Sequence, residues 1–229
     1  MTLALHPDFR LQKLTLGREQ RPLLVIDNMV ADPAELVDLA AGKLFGEVAS
    51  YYPGVRAKVP LTYQRFIIEQ LRGVIADHFG LDAGSLRFTA CHFSLVTTPP
   101  EKLTYLQRIP HVDSLAGNEI AFIHYLFKSD LGGTAFYRHR KSGFEYVDHS
   151  RKVEYWRHIE EEQSGPDSPS AEYITADTPL YEQIGRQDGV FNRILIYRRN
   201  SLHSGSISRK FVADLDPRSG RLSINGFLA

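Results

Sequence analysis

The chain is poor in several features that would have set its class at once. It has a single cysteine, Cys91, so no intrachain disulfide can form, and one thiol fits a reducing compartment. It has no surplus of charge: 27 basic residues face 27 acidic ones. That balance gives no general attraction to nucleic acid or to an anionic membrane. Long apolar runs are missing too. Ala121–Phe127 is among the longest, far short of the ~20 residues a membrane-crossing helix needs. The opening MTLALHPDFR has neither the basic start nor the apolar stretch of a secretory leader. No internal repeat is visible. These absences lead us to expect a cytoplasmic protein with no membrane partner and no nucleic-acid partner.

What is present is a chain of 229 residues, a length that fits one domain over 1–229 with a substantial core. Its first part reads as helical support, about 22–85. Leu23–Ile26 is a β-prone run. Asp32 can cap a helix that has Pro33 at its first position and Leu36, Leu39, Ala40 and Leu44 on one face. YYPGVRAK reads as a turn. Thr62–Phe79 reads as a second helix, with Ile67, Leu71, Val74, Ile75 and His78 inward and Gly80 as its stop.

From about residue 86 to the end the texture becomes strand-like. RFTACHFSLV, EIAFIHYLF, GTAFYRHR, GVFNRILIYRR, SISRKFVADL and GRLSINGFL are separated mostly by glycine or proline. An insert at about 151–170 interrupts them, reading as a helix and then a polar loop. Its Glu160–Glu162 run is expected to be a solvated helix end, and Arg138–Lys141 a solvated strand end. Helices first and strands later give an α+β, mainly β pattern, with helices backing a β-sandwich or jelly roll.

The candidate chemistry starts at His111-Val112-Asp113. Two histidines and one carboxylate on one face can hold Fe(II) and leave open positions. A His-x-Asp pair supplies two of these, because residues i and i+2 of an extended segment project together. The pair alone is weak, since His6-Pro7-Asp8 repeats it in what reads as a terminal turn. Position separates them. His111 and Asp113 precede a strand, and His203 follows a late strand. Arg221 then opens the last one, where Arg221, Ser223 and Asn225 share a face opposite Leu222, Ile224 and Leu228. Arginine grips a carboxylate bidentately. Arg209 is the rival anion-binding residue, but it follows His203 too closely to have come round on the next strand. His92, His124, His139, His149 and His158 lack an ordered carboxylate partner and read as structural or surface. Cys91 and His92 point to opposite faces of a strand, so Cys91 reads as a buried core residue.

This order resembles the 2-oxoglutarate/Fe(II)-dependent dioxygenase superfamily, and more narrowly its prolyl-hydroxylase-like branch. The matching pieces are His111-x-Asp113, His203 and Arg221-x-Ser223, with LGGTAFYRH and VIDNMVADP in support. The resemblance implies a double-stranded β-helix, a cupin-like jelly roll. It implies Fe(II) on His111, Asp113 and His203, and the distal carboxylate of 2-oxoglutarate on Arg221 and Ser223. Tyr125 and Tyr137 would line the cosubstrate pocket, and Gln107 and Arg108 would touch substrate. TPPEKLTYLQRIP would form the rim, with the insert as a lid or as a plain surface addition. A carboxylate at position 113, where related halogenases carry a small residue, favours hydroxylation. The implied reaction consumes O2 and oxidises a small-molecule or peptidyl substrate, with release of succinate and CO2. A cupin-like module that holds a metal or small acid without turnover is the alternative, and a metal-free sheet scaffold the third.

Overall fold

The computed structural model describes residues 3–47 and 52–229. Eleven strands and three α-helices follow in order: β1 Arg10–Leu16, β2 Arg21–Asp27, α1 Pro33–Ala41, β3 Gly46–Glu47, β4 Gly54–Lys58, α2 Leu61–Phe79, β5 Phe88–Val96, β6 Ile120–Tyr125, β7 Gly132–His139, α3 Lys152–Gln163, β8 Tyr181–Asp188, β9 Ile194–Arg198, β10 His203–Ile207 and β11 Leu222–Leu228. The described residues form two antiparallel sheets. One has eight strands in the order β1-β2-β9-β6-β11-β5-β4-β3, and the other has three, β10-β7-β8.

Local chemistry sets the helix ends. Asp32 accepts from the Ala34 and Glu35 amides and Pro33 opens α1, as expected. Gly80 ends α2 in the left-handed region (φ 61°) and returns its N–H to Ala76. No helix among the described residues is long and apolar enough to cross a membrane.

The large sheet has two different faces. One carries Leu24, Ile26, Phe93, Leu95, Ile120, Phe122, Ile194, Ile196, Leu222 and Ile224, and packs against Leu36 and Ala40 of α1 and Ile67, Leu71 and Ile75 of α2. This is the main apolar core. The opposite face meets the small sheet, where Phe136 of β7 packs with Tyr125 and Tyr197. Strand register aligns one residue per strand on that face: Arg56, Ser94, Ser223 and Tyr125 sit side by side across β4, β5, β11 and β6.

Several sequence expectations change here. Leu44 lies beyond α1 and is 98% exposed, because the helix ends at Ala41. The helical support is also a source of strands: residues 54–58 of the expected turn form β4, paired with β5, while Tyr51 lies outside the described residues. SISRKFVADL is strand only to Ile207, and a non-strand segment then leads to β11. Glu162 and His139 are buried rather than solvated, because they bond to each other (2.9 Å). Arg138 is buried as well, held by Glu145 and Glu182. Of that basic stretch only Arg140 and Lys141 stay exposed.

Candidate metal and cosubstrate site

A cavity of about 490 Å³ opens between the two sheets. His111, Asp113 and His203 lie on its wall, and one donor atom from each falls within 4.8 Å of the others. The backbone brings them together. His111 and His203 exchange both amide hydrogen bonds, at 2.9 and 3.0 Å. Asp113 donates its N–H to the Arg199 carbonyl, and the Arg199 guanidinium donates back to the Asp113 carbonyl. The three side chains therefore meet on backbone that is pinned on both sides. His203 follows β9 after a turn and opens the next strand, β10.

The electrostatics suit a cation. His203 Nδ1 donates to the Ser201 carbonyl (2.9 Å), which leaves Nε2 with its lone pair towards Asp113 Oδ2, 3.4 Å away. His111 Nε2 lies 3.8 Å from Asp113 Oδ1. About half of the His111 side chain is open. Desolvation and the neighbouring His203 push His111 down to about 4, so its imidazole is available as a neutral ligand. Tyr197 and Phe136 pack around His203, with ring centroids at 4.7 and 6.5 Å. Two imidazoles and one carboxylate converging on a cavity are the donor set of a facial triad.

Elsewhere on the same wall is Arg221, 5% exposed. Its Nε donates to the Leu131 carbonyl (3.0 Å) and its Nη2 to the Gly133 carbonyl (2.8 Å). Among the described residues no carboxylate pairs with it. A buried cation answered only by carbonyls and the rings of Tyr125 and Phe127 still lacks its anion. Ser223 lies two residues on and donates to Asn225 Oδ1 (2.7 Å), and both line the cavity. Tyr125 also lines it, with its hydroxyl 2.6 Å from Thr134 Oγ1. Arg209 is away from the cavity, 86% exposed, with Glu172 at 3.6 Å.

Other expected residues are placed differently. Tyr137 belongs to a separate cluster with Tyr155, Ile174 and Tyr181, and its hydroxyl donates to the Ile174 carbonyl (3.4 Å). Phe136 and Tyr137 are neighbours on β7 and project to opposite faces, so Phe136, and not Tyr137, turns towards the triad. Gln107 lines the cavity, and its Oε1 caps the Thr104 N–H (2.9 Å). The Arg108 guanidinium turns away to the Leu103 carbonyl (3.0 and 2.7 Å). The stretch before the triad does form rim, through Leu106, Gln107, Ile109 and Pro110. From the insert, Tyr155, Trp156 and Ile159 of α3 also line the cavity.

Sequence reasoning missed Tyr52, Arg56, Tyr197 and Tyr173, all on the cavity wall. Tyr197 was findable: it alternates with Leu195 and so shares the inner face of β9. Arg56 was hidden by reading its segment as a turn.

In fold, the chain is similar to HygX from Streptomyces hygroscopicus, whose structure has nickel and 2-oxoglutarate bound. The two share 12% identity over 93% of this chain and 87% of that one, with a TM-score of 0.56. The non-heme alpha ketoglutarate dependent epimerase SnoN from nogalamycin biosynthesis matches at 14% identity and a TM-score of 0.45, over 86% of this chain and 70% of that one. No curated protein matches. The model of a family of unknown function, DUF6445, matches residues 7–228.

Proposed function

The chain belongs to the DUF6445 family, and we propose that it is an Fe(II)- and 2-oxoglutarate-dependent oxygenase built on a double-stranded β-helix. The observation that carries this reading is one cavity holding both a His111–Asp113–His203 triad and a buried guanidinium, Arg221, without a carboxylate. Either feature alone has plainer explanations. Together they match the two ends of a 2-oxo dicarboxylate. The HygX fold likeness, with nickel and 2-oxoglutarate bound in that protein, supports the same assignment. The order His111-x-Asp113, His203, Arg221-x-Ser223 supports the prolyl-hydroxylase-like branch.

Fe(II), when bound, supplies the redox chemistry by which O2 and 2-oxoglutarate become succinate and CO2 while a substrate C–H becomes C–OH. The protein's own residues bind, orient and exclude water. Asp113 contributes the negative ligand, and Ser201 fixes the His203 tautomer through Nδ1. Arg221 takes the distal carboxylate of 2-oxoglutarate, with the Ser223 hydroxyl turning from Asn225 to share it. Tyr125 closes that end of the pocket, and its own hydroxyl is satisfied by Thr134. Tyr197 and Phe136 keep the His203 side apolar. Trp156 and Ile159 of α3 act as the lid side of the mouth. The aspartate at 113 supports hydroxylation.

The test is direct. Anaerobic protein with Fe(II) and 2-oxoglutarate should develop a visible metal-to-ligand charge-transfer band. Admitting O2 should then release succinate. A band without succinate would leave a binding module, and no band would remove the cosubstrate altogether.

A further inference from the structure

The cavity holds a second cation that the proposed reaction does not use. Arg56 projects from β4 onto the inner face, in the same cross-strand row as Ser94, Ser223 and Tyr125. Its guanidinium stacks over the Tyr52 ring at 4.4 Å. It makes no hydrogen bond or ion pair among the described residues, and its Nε is buried without a partner. Asp113 is the only carboxylate among the described residues that line the cavity, and the triad uses it. One position further along the same face Lys58 lies beside His92, and burial first, then the charges of Arg56 and Lys58, hold the His92 imidazole below its usual range.

Charge accounting shows what is lacking. A divalent ion, Arg221 and Arg56 outweigh Asp113 and a 2-oxoglutarate dianion by one positive charge. A half-buried guanidinium fixed on an aromatic ring and left unpaired is set to receive an oxyanion. Much of the remaining lining is apolar, including Leu106, Ile109, Val112, Trp156, Ile159 and Phe227. Among the described residues no free carboxylate lines the cavity to answer a substrate ammonium.

We propose that Arg56 is a substrate-binding residue, and that the substrate is an organic acid with one carboxylate and an apolar body. The acid group would sit on Arg56 and the body would lie along the α3 side of the mouth. This rests on the cosubstrate reading above for its charge balance.

Titration calorimetry on Ni(II)-loaded protein, with and without 2-oxoglutarate, tests it without turnover. The probes are 3-phenylpropanoate and octanoate, each beside its primary amide. The acids should bind at least about tenfold more tightly than the amides, the scale of one charge-assisted contact. Arg56→Met should erase that preference and Arg56→Lys should keep part of it. Both should leave the thermal midpoint and the 2-oxoglutarate affinity in place. Acids no tighter than amides, or a preference that survives Arg56→Met, would overturn the proposal. So would a loss of 2-oxoglutarate affinity in Arg56→Met, which would make Arg56 a cosubstrate ligand. If wild-type protein takes no 2-oxoglutarate, the cosubstrate reading falls. The acid preference at Arg56, read in the cosubstrate-free titration, still decides this proposal separately.

Discussion

Arg138 and Arg221 are buried to nearly the same degree, 7% and 5% exposed, and the protein treats them in opposite ways. Arg138 lies on β7, in the small sheet. Its Nε donates to Glu145 Oε1 (2.9 Å) and its Nη1 to Glu182 Oε2 (2.6 Å). Glu145 also accepts the Arg18 and Glu19 amides, so that network is closed. Among the described residues Arg221 meets only carbonyls and aromatic rings. The histidines repeat the contrast. His139 uses both ring nitrogens, on Ser142 and Glu162, whereas His203 uses Nδ1 and leaves Nε2 to the triad. A buried polar group with all its partners holds the fold together. One without them, on a cavity wall, marks where a ligand completes the structure.

The comparison can be broken at several strengths. Asp113→Ala or His203→Ala should abolish succinate release and the charge-transfer band, and should remove the rise in melting temperature that Ni(II) gives the wild type. Survival of that rise would place the metal elsewhere. On the closed side, Arg138→Met strands Glu145 and should cost about 3–5 kcal/mol in chemical denaturation. A cost under about 1 kcal/mol would show that the backbone amides alone satisfy Glu145.

His124 gives a smaller effect with a defined sign. It is fully buried between Tyr63 (2.9 Å) and Asn192 (3.1 Å), and burial pushes it down to about 4 against the Asn192 hydrogen bond. The unfolded imidazole takes its proton near 6.5, so the fold loses stability as pH falls from there towards 4. Between pH 8 and pH 5 this group should account for about 2 kcal/mol of that loss. Urea melts of His124→Gln should be flatter over the same range, and an unchanged slope would assign it to other groups. Smallest of all, Arg209→Ala should leave 2-oxoglutarate affinity within about twofold, a difference under about 0.5 kcal/mol.

Much of this was legible in the chain itself, because the patterns involved are local. The strand periodicity placed Ser223 and Asn225 on the cavity face and Leu222 and Ile224 in the core. The Asp32 cap and the Gly80 stop followed from side-chain chemistry next to the helix ends. What stayed hidden depends on long-range pairing. β4 exists because β5 offers it an edge, and a short Pro-Gly segment does not announce that. Glu162 reads as solvated until His139 is seen to reach it from β7. Tyr137 reads as pocket-facing until its neighbour Phe136 is seen to hold the triad side of β7. Arg56 was lost with β4, and with it the second cation of the cavity.

One paired measurement bears most directly on the central claim, that Arg221 is an unpaired cation waiting for a cosubstrate carboxylate. 2-Oxoglutarate is titrated into Ni(II)-loaded wild type and Arg221→Met, and both proteins are melted in its absence. We predict at least about 100-fold weaker binding, near 2.7 kcal/mol, and stability equal to or above wild type, because a lone buried charge has been removed. Unchanged affinity, or a loss of stability as large as that of Arg138→Met, would contradict the account and return Arg221 to the structural side of the comparison.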